Sequence, residues 1–388
     1  VAISLDSVSK FSIWYIGRSE YYWKHPQQFM DSLTISDNGS GTTTLIFGAA
    51  PGATDGIDPY WQEVQLAPKP SLGFFDARWS IPTTNGTDID IRNIISYTHQ
   101  QIIYTCTFQP GSGGYPFTLN WDNTIFPFGN IIMRDGTTHG VKFSIDMRNQ
   151  HSLIITDPTV TSFEIVYNAP SYYLFNQGWN MVSIPVNLRG DNYKTTIFPT
   201  AISSAFGFTY QYYSTDTLAN GCGYWIKFIA PELVPFDGTA LTTDTFHLNE
   251  GWNMIGSISS PVPISTIQRL PSNMVLSDYY SFTNAYVPSD SIKPSKAYWV
   301  KTNLPGNLIL TKSGTVYSKE NNRYDEDVLH QLNTITIADK NGGKQTLYFG
   351  EKGNSPASEG GYELPPLPPN GIFDARFSSQ QAVEFISD

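Results

Sequence analysis

Residues 65–79 read QLAPKPSLGFFDARW, and residues 363–377 read ELPPLPPNGIFDARF. The phrase is written twice, 298 residues apart, and each copy follows a matching stretch upstream. Those stretches are SLTISDNGSGTTTLIFG at 32–48 and TITIADKNGGKQTLYFG at 334–350. In both, two alternating apolar runs flank an Asp- and Gly-containing turn and close on Phe-Gly. Period-two alternation around turn residues predicts a β-hairpin. Order and spacing agree between the copies, the second being four residues shorter between FG and FDAR. One module is therefore present twice.

Beyond the first FDAR the module continues through QQIIYTCTF, YPFTLNW, GNIIMRD, VKFSIDM, HSLIITD and SFEIVYN, separated by turn clusters such as QPGSGGYP and RDGTTHG. Short strands at this spacing predict an antiparallel β-sandwich. Alternation in VKFSIDM places Val141, Phe143 and Ile145 on one face, the expected core face. The middle of the chain carries a second repeat. LFNQGWNMVSIPV at 174–186 matches HLNEGWNMIGSIS at 247–259, and GYWIKF at 223–228 matches AYWVKT at 297–302. The offsets are 73 and 74 residues, as an intact tandem copy requires. Helical structure is expected to be no more than a turn near TTIFPTAI and PISTIQRL.

These patterns predict an all-β, multidomain chain of antiparallel sandwiches, Ig-like or fibronectin-like. Residues 1–169 form an N-terminal sandwich with a candidate donor strand at 1–17. Residues 170–316 hold the tandem GWN…YW modules, 317–331 a charged linker, and 332–388 a partial module repeating 32–79. That last piece is 57 residues long. A piece so short buries little surface and leaves strand edges unpaired, so something else must complete it, or the chain continues. The stretch VAISLDSVSKFSIWYI alternates through Val1, Ile3 and Leu5, then Phe11, Ile13 and Tyr15, which makes it a candidate strand donor. Pairing inside the first sandwich is the simpler alternative. The opening at Val1, with no Met and no leader pattern, is expected of a processed product or an excised fragment.

Composition excludes several function classes. Net charge is −11 and no basic run occurs, so nucleic acid and anionic membrane surfaces are disfavoured partners. No stretch approaches the roughly 18 apolar residues that span a bilayer. The motifs GxSxG, HExxH, CxxC and the P-loop are absent. His25, His99, His139, His151, His247 and His330 are scattered without metal-ligand spacing, and Cys106 and Cys222 have no neighbouring His. The expectation is a non-enzyme with two unpaired thiols.

One carboxylate cluster stands out, GATDGIDPYWQE at 52–63, with Asp55, Asp58 and Glu63 in a Gly/Pro loop. Oxygen ligands on irregular backbone suit calcium. The same Asp and Gly residues also make turns, and the counterpart EKGNSPASEGGYE lacks both aspartates. The aromatic clusters YYW at 21–23, YQYY at 210–213 and DYYSF at 278–282 could stack on sugar rings of a polysaccharide or pair across strands. Gly178–Trp179–Asn180 and Gly251–Trp252–Asn253 are expected to set turns, each indole packing on Trp225 or Trp299. Residues two apart on a strand do not overlap directly, so Arg78 and Arg376 are expected to reach Asp76 and Asp374 only across a bend. The prolines at 365, 366, 368 and 369 favour polyproline II, with an intramolecular docking role ahead of a partner groove.

The TLxFG strand, the GATDGIDP loop, the LPPxPPxGxFDARF phrase and the YPFTLNW strand together resemble the repeated Ig-like modules of large secreted bacterial proteins. Such modules are common in type IX secretion cargo, and GWNMVSIPV…GYWIK is similar to a second β module of those proteins. The resemblance covers residues 30–388, although the YPNP-like sorting domain usual in such cargo is lacking. It implies an extracellular or cell-surface location and transfers no catalytic residue. The expected function is a structural or adhesive surface protein, self-associating or binding neighbouring surface proteins, as a filament or surface-assembly subunit joined head to tail by strand complementation. The alternative is an accessory, polysaccharide-binding or spacer region of a larger secreted hydrolase.

Overall fold

The alternating runs of the first module form the hairpin they predict, β1 (Phe29–Ser36) and β2 (Thr42–Ala50), with Leu33 opposite Leu45 and Ile35 opposite Thr43. The structure is a computed structural model and describes residues 29–93, 101–316, 329–340, 342–351 and 362–386. The candidate donor stretch 1–17, the aromatic triplet 21–23 and most of the charged linker lie outside the described residues. The chain divides into two compact units, Val1–Ser171 and Tyr172–Asp388.

The first unit continues with β3 (Asp76–Trp79), β4 (Ile89–Asn93), β5 (Gln101–Gln109), β6 (Phe117–Trp121), β7 (Asn130–Asp135), β8 (Ser144–Asp146), β9 (Ser152–Ile155) and β10 (Ser162–Asn168). Two five-stranded sheets result, in the orders β4-β2-β1-β6-β9 and β3-β5-β10-β7-β8. Pairing is antiparallel except between β2 and β4. The inward faces share one core that includes Leu33, Leu45, Phe47, Trp79, Tyr104, Phe108, Phe117 and Phe163. Two side chains tie the sheets together: the Trp79 indole donates to the Ile46 carbonyl at 2.7 Å, and the Tyr104 hydroxyl to that of Gly48 at 2.6 Å. The expected face of VKFSIDM is corrected at one position. Phe143 and Ile145 pack on the core, but Val141 is 85% exposed. The Asp135 carboxylate explains this, accepting from the backbone N–H groups of Thr138, Gly140 and Lys142 and so drawing residues 138–142 into a turn that postpones the strand to Ser144.

The second unit contains both GWN repeats and the terminal module. Its principal strands are β11 (Gly178–Val182), β12 (Ala205–Thr209), β13 (Gln211–Thr215), β14 (Tyr224–Phe228), β15 (Gly251–Ile255), β16 (Tyr280–Phe282), β17 (Tyr286–Pro288), β18 (Tyr298–Thr302), β19 (Asn333–Ala338), β20 (Lys344–Glu351) and β21 (Val383–Ile386). The repeats correspond strand for strand, forming sheets in the orders β11-β14-β12-β13 and β15-β18-β16-β17. Met181 faces Trp225 in the first and Met254 faces Trp299 in the second. Each GWN turn has Gly at positive φ (89° and 92°), which any Cβ would strain, and an Asn whose side chain clamps the loop. Asn180 accepts from the Asn176 N–H and donates to the Asn176 and Gly178 carbonyls; Asn253 repeats this on Asn249 and Gly251.

The repeats exchange aromatic rings. Phe208 of the first packs edge-on against Trp299 of the second at 4.8 Å, and Phe282 of the second packs against Trp225 of the first at 4.9 Å. The Ala297 N–H donates to the Met181 carbonyl, the Gly223 N–H to that of Met254, and Ser183 meets Ser257 hydroxyl to hydroxyl at 2.8 Å. Contacts that recur with their partners interchanged are those of a self-complementary interface.

Asp31 occupies a core-facing position of β1, and its Oδ2 has no hydrogen-bond partner. Burial, with a smaller push from Asp122 against the pull of Arg148, raises its carboxyl to about 8. Between pH 4 and 8 the folded chain therefore holds a proton that the unfolded chain has lost, and stability falls as pH rises through that window. Asp31→Asn is expected to raise the melting point of the first unit at pH 8 by roughly 5 °C and to leave it unchanged near pH 4. Calorimetry at the two pH values checks this.

Candidate functional site: the open sheet of the terminal module

The terminal module rebuilds three strands of the first module. β19 pairs with β20, Ile335 opposite Leu347, as β1 pairs with β2 at Leu33 and Leu45. β20 then pairs in parallel with β21, Tyr348 opposite Val383, as β2 pairs with β4 at Ile46 and Ile89. Packing of the phrase on the hairpin turn also repeats. A Cβ added to Gly41 would meet Phe75 at 2.4 Å, and one added to Gly343 would meet Phe373 at 2.6 Å.

The Arg clasp within FDAR recurs in both copies and corrects the expectation of a bend. Arg78 grips Asp76 with Nε and Nη2 at 2.8 and 2.5 Å and donates Nη1 to the Ala67 carbonyl at 2.8 Å. Arg376 grips Asp374 with the same two nitrogens at 2.7 Å and donates to the Pro365 carbonyl at 2.7 Å. No bend is required, because the long Arg side chain folds back along its own extended backbone, a strand only in the first copy, to reach position i−2. The clasp also ties down the Pro-rich phrase eleven residues upstream.

The copies part at the next step. In the first unit, β1 pairs with β2 on one side and with β6 on the other, Leu33 opposite Trp121 and Ile35 opposite Leu119. Among the described residues no strand stands at the place beside β19 that β6 takes beside β1. Leu33 and Ile35 are 1% and 0% exposed, whereas their counterparts Ile335 and Ile337 are 48% and 40% exposed. All six residues of β19, NTITIA, are exposed, and none is charged or proline. A β-branched, uncharged edge presents a row of backbone N–H and C=O groups to any incoming strand, without the Lys or Pro that usually blunt such edges.

Part of the terminal module is covered from within the second unit. Leu347, Leu364 and Ala382 are buried in one cluster with Met181, Trp225, Met254, Tyr286 and Trp299. The phrase 363–371 lies over this aromatic face. Trp252 Nε1 donates to Glu363 Oε1 at 2.9 Å, the Lys301 ammonium pairs with Glu363 Oε2, and the Tyr286 hydroxyl donates to the Pro366 carbonyl at 2.9 Å. A Cβ on Gly371 would lie 4.0 Å from the Trp179 indole nitrogen. The expected indole packing on Trp225 or Trp299 therefore holds in part. Trp252 meets Trp299 at 6.3 Å, while Trp179 meets Phe206 at 5.9 Å. Both GWN indoles are half-buried and turned toward the phrase.

The calcium candidates are placed as follows. Asp58 caps a short 3₁₀ turn by accepting from the Tyr60 N–H. Glu63 is buried, and each carboxylate oxygen accepts a backbone N–H at 2.6 Å, one from Asp58 and one from Ile91. Burial, against the pull of those two donors, holds its carboxyl up at about 7. Asp55 is exposed and faces Arg92 at 3.6 Å, while Arg92 also grips Asp90. The structure brings Asp58 and Glu63 together, but protein N–H groups fill Glu63 and Asp55 turns to an arginine. Among the described residues no group of three or more His, Cys, Asp or Glu could hold a metal ion. Cys106 and Cys222 are free thiols, both pushed up by burial. No helix among the described residues is long and apolar enough to cross a membrane.

Trp252→Ala removes the Glu363 contact and part of the covering face. It is expected to destabilise the second unit by about 2 kcal/mol. Amide exchange at 344–351 should quicken while β1–β10 stay unchanged; mass-resolved hydrogen exchange that finds the terminal strands unaffected would refute the docking role. No family model, no curated protein and no solved structure matches the chain.

Proposed function

We propose that the protein is a non-catalytic structural or adhesive component of a bacterial cell surface, working outside the cell, whose subunits join head to tail by adding a strand to the open sheet of the terminal module. One observation carries this reading: among the described residues β19 is exposed, uncharged and paired on one side only, while the matching strand β1 is paired on both sides with Leu33 and Ile35 buried. Strand addition to such an edge uses main-chain hydrogen bonds for affinity and alternate side chains for selectivity. A joint between different patches at the two ends of a chain does not close on itself and propagates as a filament.

A second reading, a polysaccharide-binding region of a larger hydrolase, is favoured by Tyr60 and Tyr210, which are 82% and 73% exposed. Of the other rings in the two central clusters, Tyr212 and Phe282 pack on the tryptophan of the opposite repeat, at 6.3 and 4.9 Å. Affinity electrophoresis against common polysaccharides separates the readings, retardation supporting the second.

Ile335 and Ile337 are both exposed, so Ile335→Lys and Ile337→Lys are expected to change stability by less than about 0.5 kcal/mol. Both should abolish filaments in negative-stain micrographs and the concentration-dependent mass seen by light scattering. A wild-type chain that stays monodisperse at every concentration overturns the assembly reading.

A further inference from the structure

The register of the first unit specifies what a complementing strand at β19 must look like. Beside β1, β6 places Trp121 opposite Leu33, Asn120 opposite Thr34, Leu119 opposite Ile35 and Thr118 opposite Ser36. Phe117, Leu119 and Trp121 are all buried, on the same face as Leu33 and Ile35. A donor therefore needs aromatic, aliphatic and aromatic residues at alternate positions, with small or polar residues between them, over a stretch free of charge.

Residues 11–15, Phe-Ser-Ile-Trp-Tyr, align with residues 117–121, Phe-Thr-Leu-Asn-Trp. The three core positions match in kind and order: Phe11 with Phe117, Ile13 with Leu119, and Tyr15 with Trp121. Ser12 matches Thr118, and only Trp14 departs, at a position that faces away from the core. The paired stretches of donor and acceptor carry no charge, so no like-charge pair stands across the new strand pair.

Resting on the head-to-tail reading above, we propose that residues 11–15 of a second copy of this chain add antiparallel to β19, taking the place that β6 occupies beside β1. Tyr15 then lies opposite Ile335, Trp14 opposite Thr336, Ile13 opposite Ile337 and Ser12 opposite Ala338. Aromatic and β-branched residues face each other across the new pair, the combination that most favours antiparallel pairing. Residues 16–28 separate this donor from β1 of its own chain and reach up to about 43 Å when extended, enough to hang one first unit beside the terminal module of its neighbour.

The register makes the proposal testable by disulfide trapping in the full chain. Ile13→Cys and Ile337→Cys, made separately and mixed under mild oxidation, are expected to give a covalent dimer. Ser12→Cys with Ala338→Cys should do the same, while Ile13→Cys with Ala338→Cys should stay at the background set by the wild-type chain, which retains Cys106 and Cys222. Melting curves of the single variants show whether each is folded. If the wild-type chain associates but neither in-register pair links, the donor assignment is wrong and the assembly reading stands. A monomeric disulfide in the Ile13→Cys/Ile337→Cys double variant would place the donor within its own chain and overturn the choice of a second copy. A wild-type chain that never associates overturns both.

Discussion

The exchange of rings between the two GWN repeats is the interaction on which the second unit depends. Trp225 and Trp299 sit at the centre of their sheets and are fully buried, yet each is covered by a phenylalanine of the other repeat. An aromatic side chain of this size removes about 150–250 Å² from water when buried. Each repeat alone would leave that area uncovered, so the two fold as a pair. The pairing has a second result. It assembles the surface from which Trp179, Trp252 and Tyr286 meet the Pro-rich phrase of the terminal module, at Gly371, Glu363 and Pro366. Removing the exchange would take away the floor on which the terminal module rests.

The phrase and its FDAR then show how one sequence settles in two surroundings. In the first unit DARW is the strand β3, because β5 runs beside it with Ala77 opposite Phe108. In the terminal module Asp374–Phe377 is not a strand, since among the described residues nothing takes the place of β5. The Arg clasp survives in both, being local to the phrase. The Pro-rich segments diverge in the same way. In the first unit Gln109 of β5 donates to the carbonyls of Pro70, Ser71 and Phe74, and Val64 and Phe74 remain 65% exposed. In the second, Tyr362 at the position of Val64 is fully buried. Tertiary partners decide the state of a segment whose own propensities hardly differ between copies.

Whatever could be read by pairing one stretch of sequence with another was legible. The hairpins at 32–48 and 334–350, the tandem offset that places Met181 against Trp225 and Met254 against Trp299, and the helical turns at Lys194–Ile197 and Ile264–Thr266 all follow from period, turn residues and repetition. What escaped were side-chain destinations set across the fold. Val141 fits the alternation of its strand, but a carboxylate six residues earlier captures the backbone beside it. Glu63 looks like a calcium ligand among glycines, but its β4 partner, Ile91, lies 28 residues away and fills one oxygen. By pattern alone the tyrosines of the central clusters fit structure ahead of sugar, and the exchange between repeats, absent from any single repeat, then separates Tyr212 from the exposed Tyr210.

The open edge of β19 is the feature that these constraints leave unresolved within the described chain, and energetics narrow what can close it. A paired register of four residues forms about four main-chain hydrogen bonds, each adding on the order of 1 kcal/mol net. Against the several kcal/mol lost when two bodies become one, that sum gives no lasting joint. Apolar side chains must supply the rest, at roughly 1.5–3 kcal/mol for each large one that becomes buried. Ile335 and Ile337 already expose one half of such a contact. The other half has to be aromatic or aliphatic at alternate positions, as Phe117, Leu119 and Trp121 are beside β1. An edge of this kind is therefore selective for a few strands of matching pattern, and it would bind a polar or charged strand only weakly.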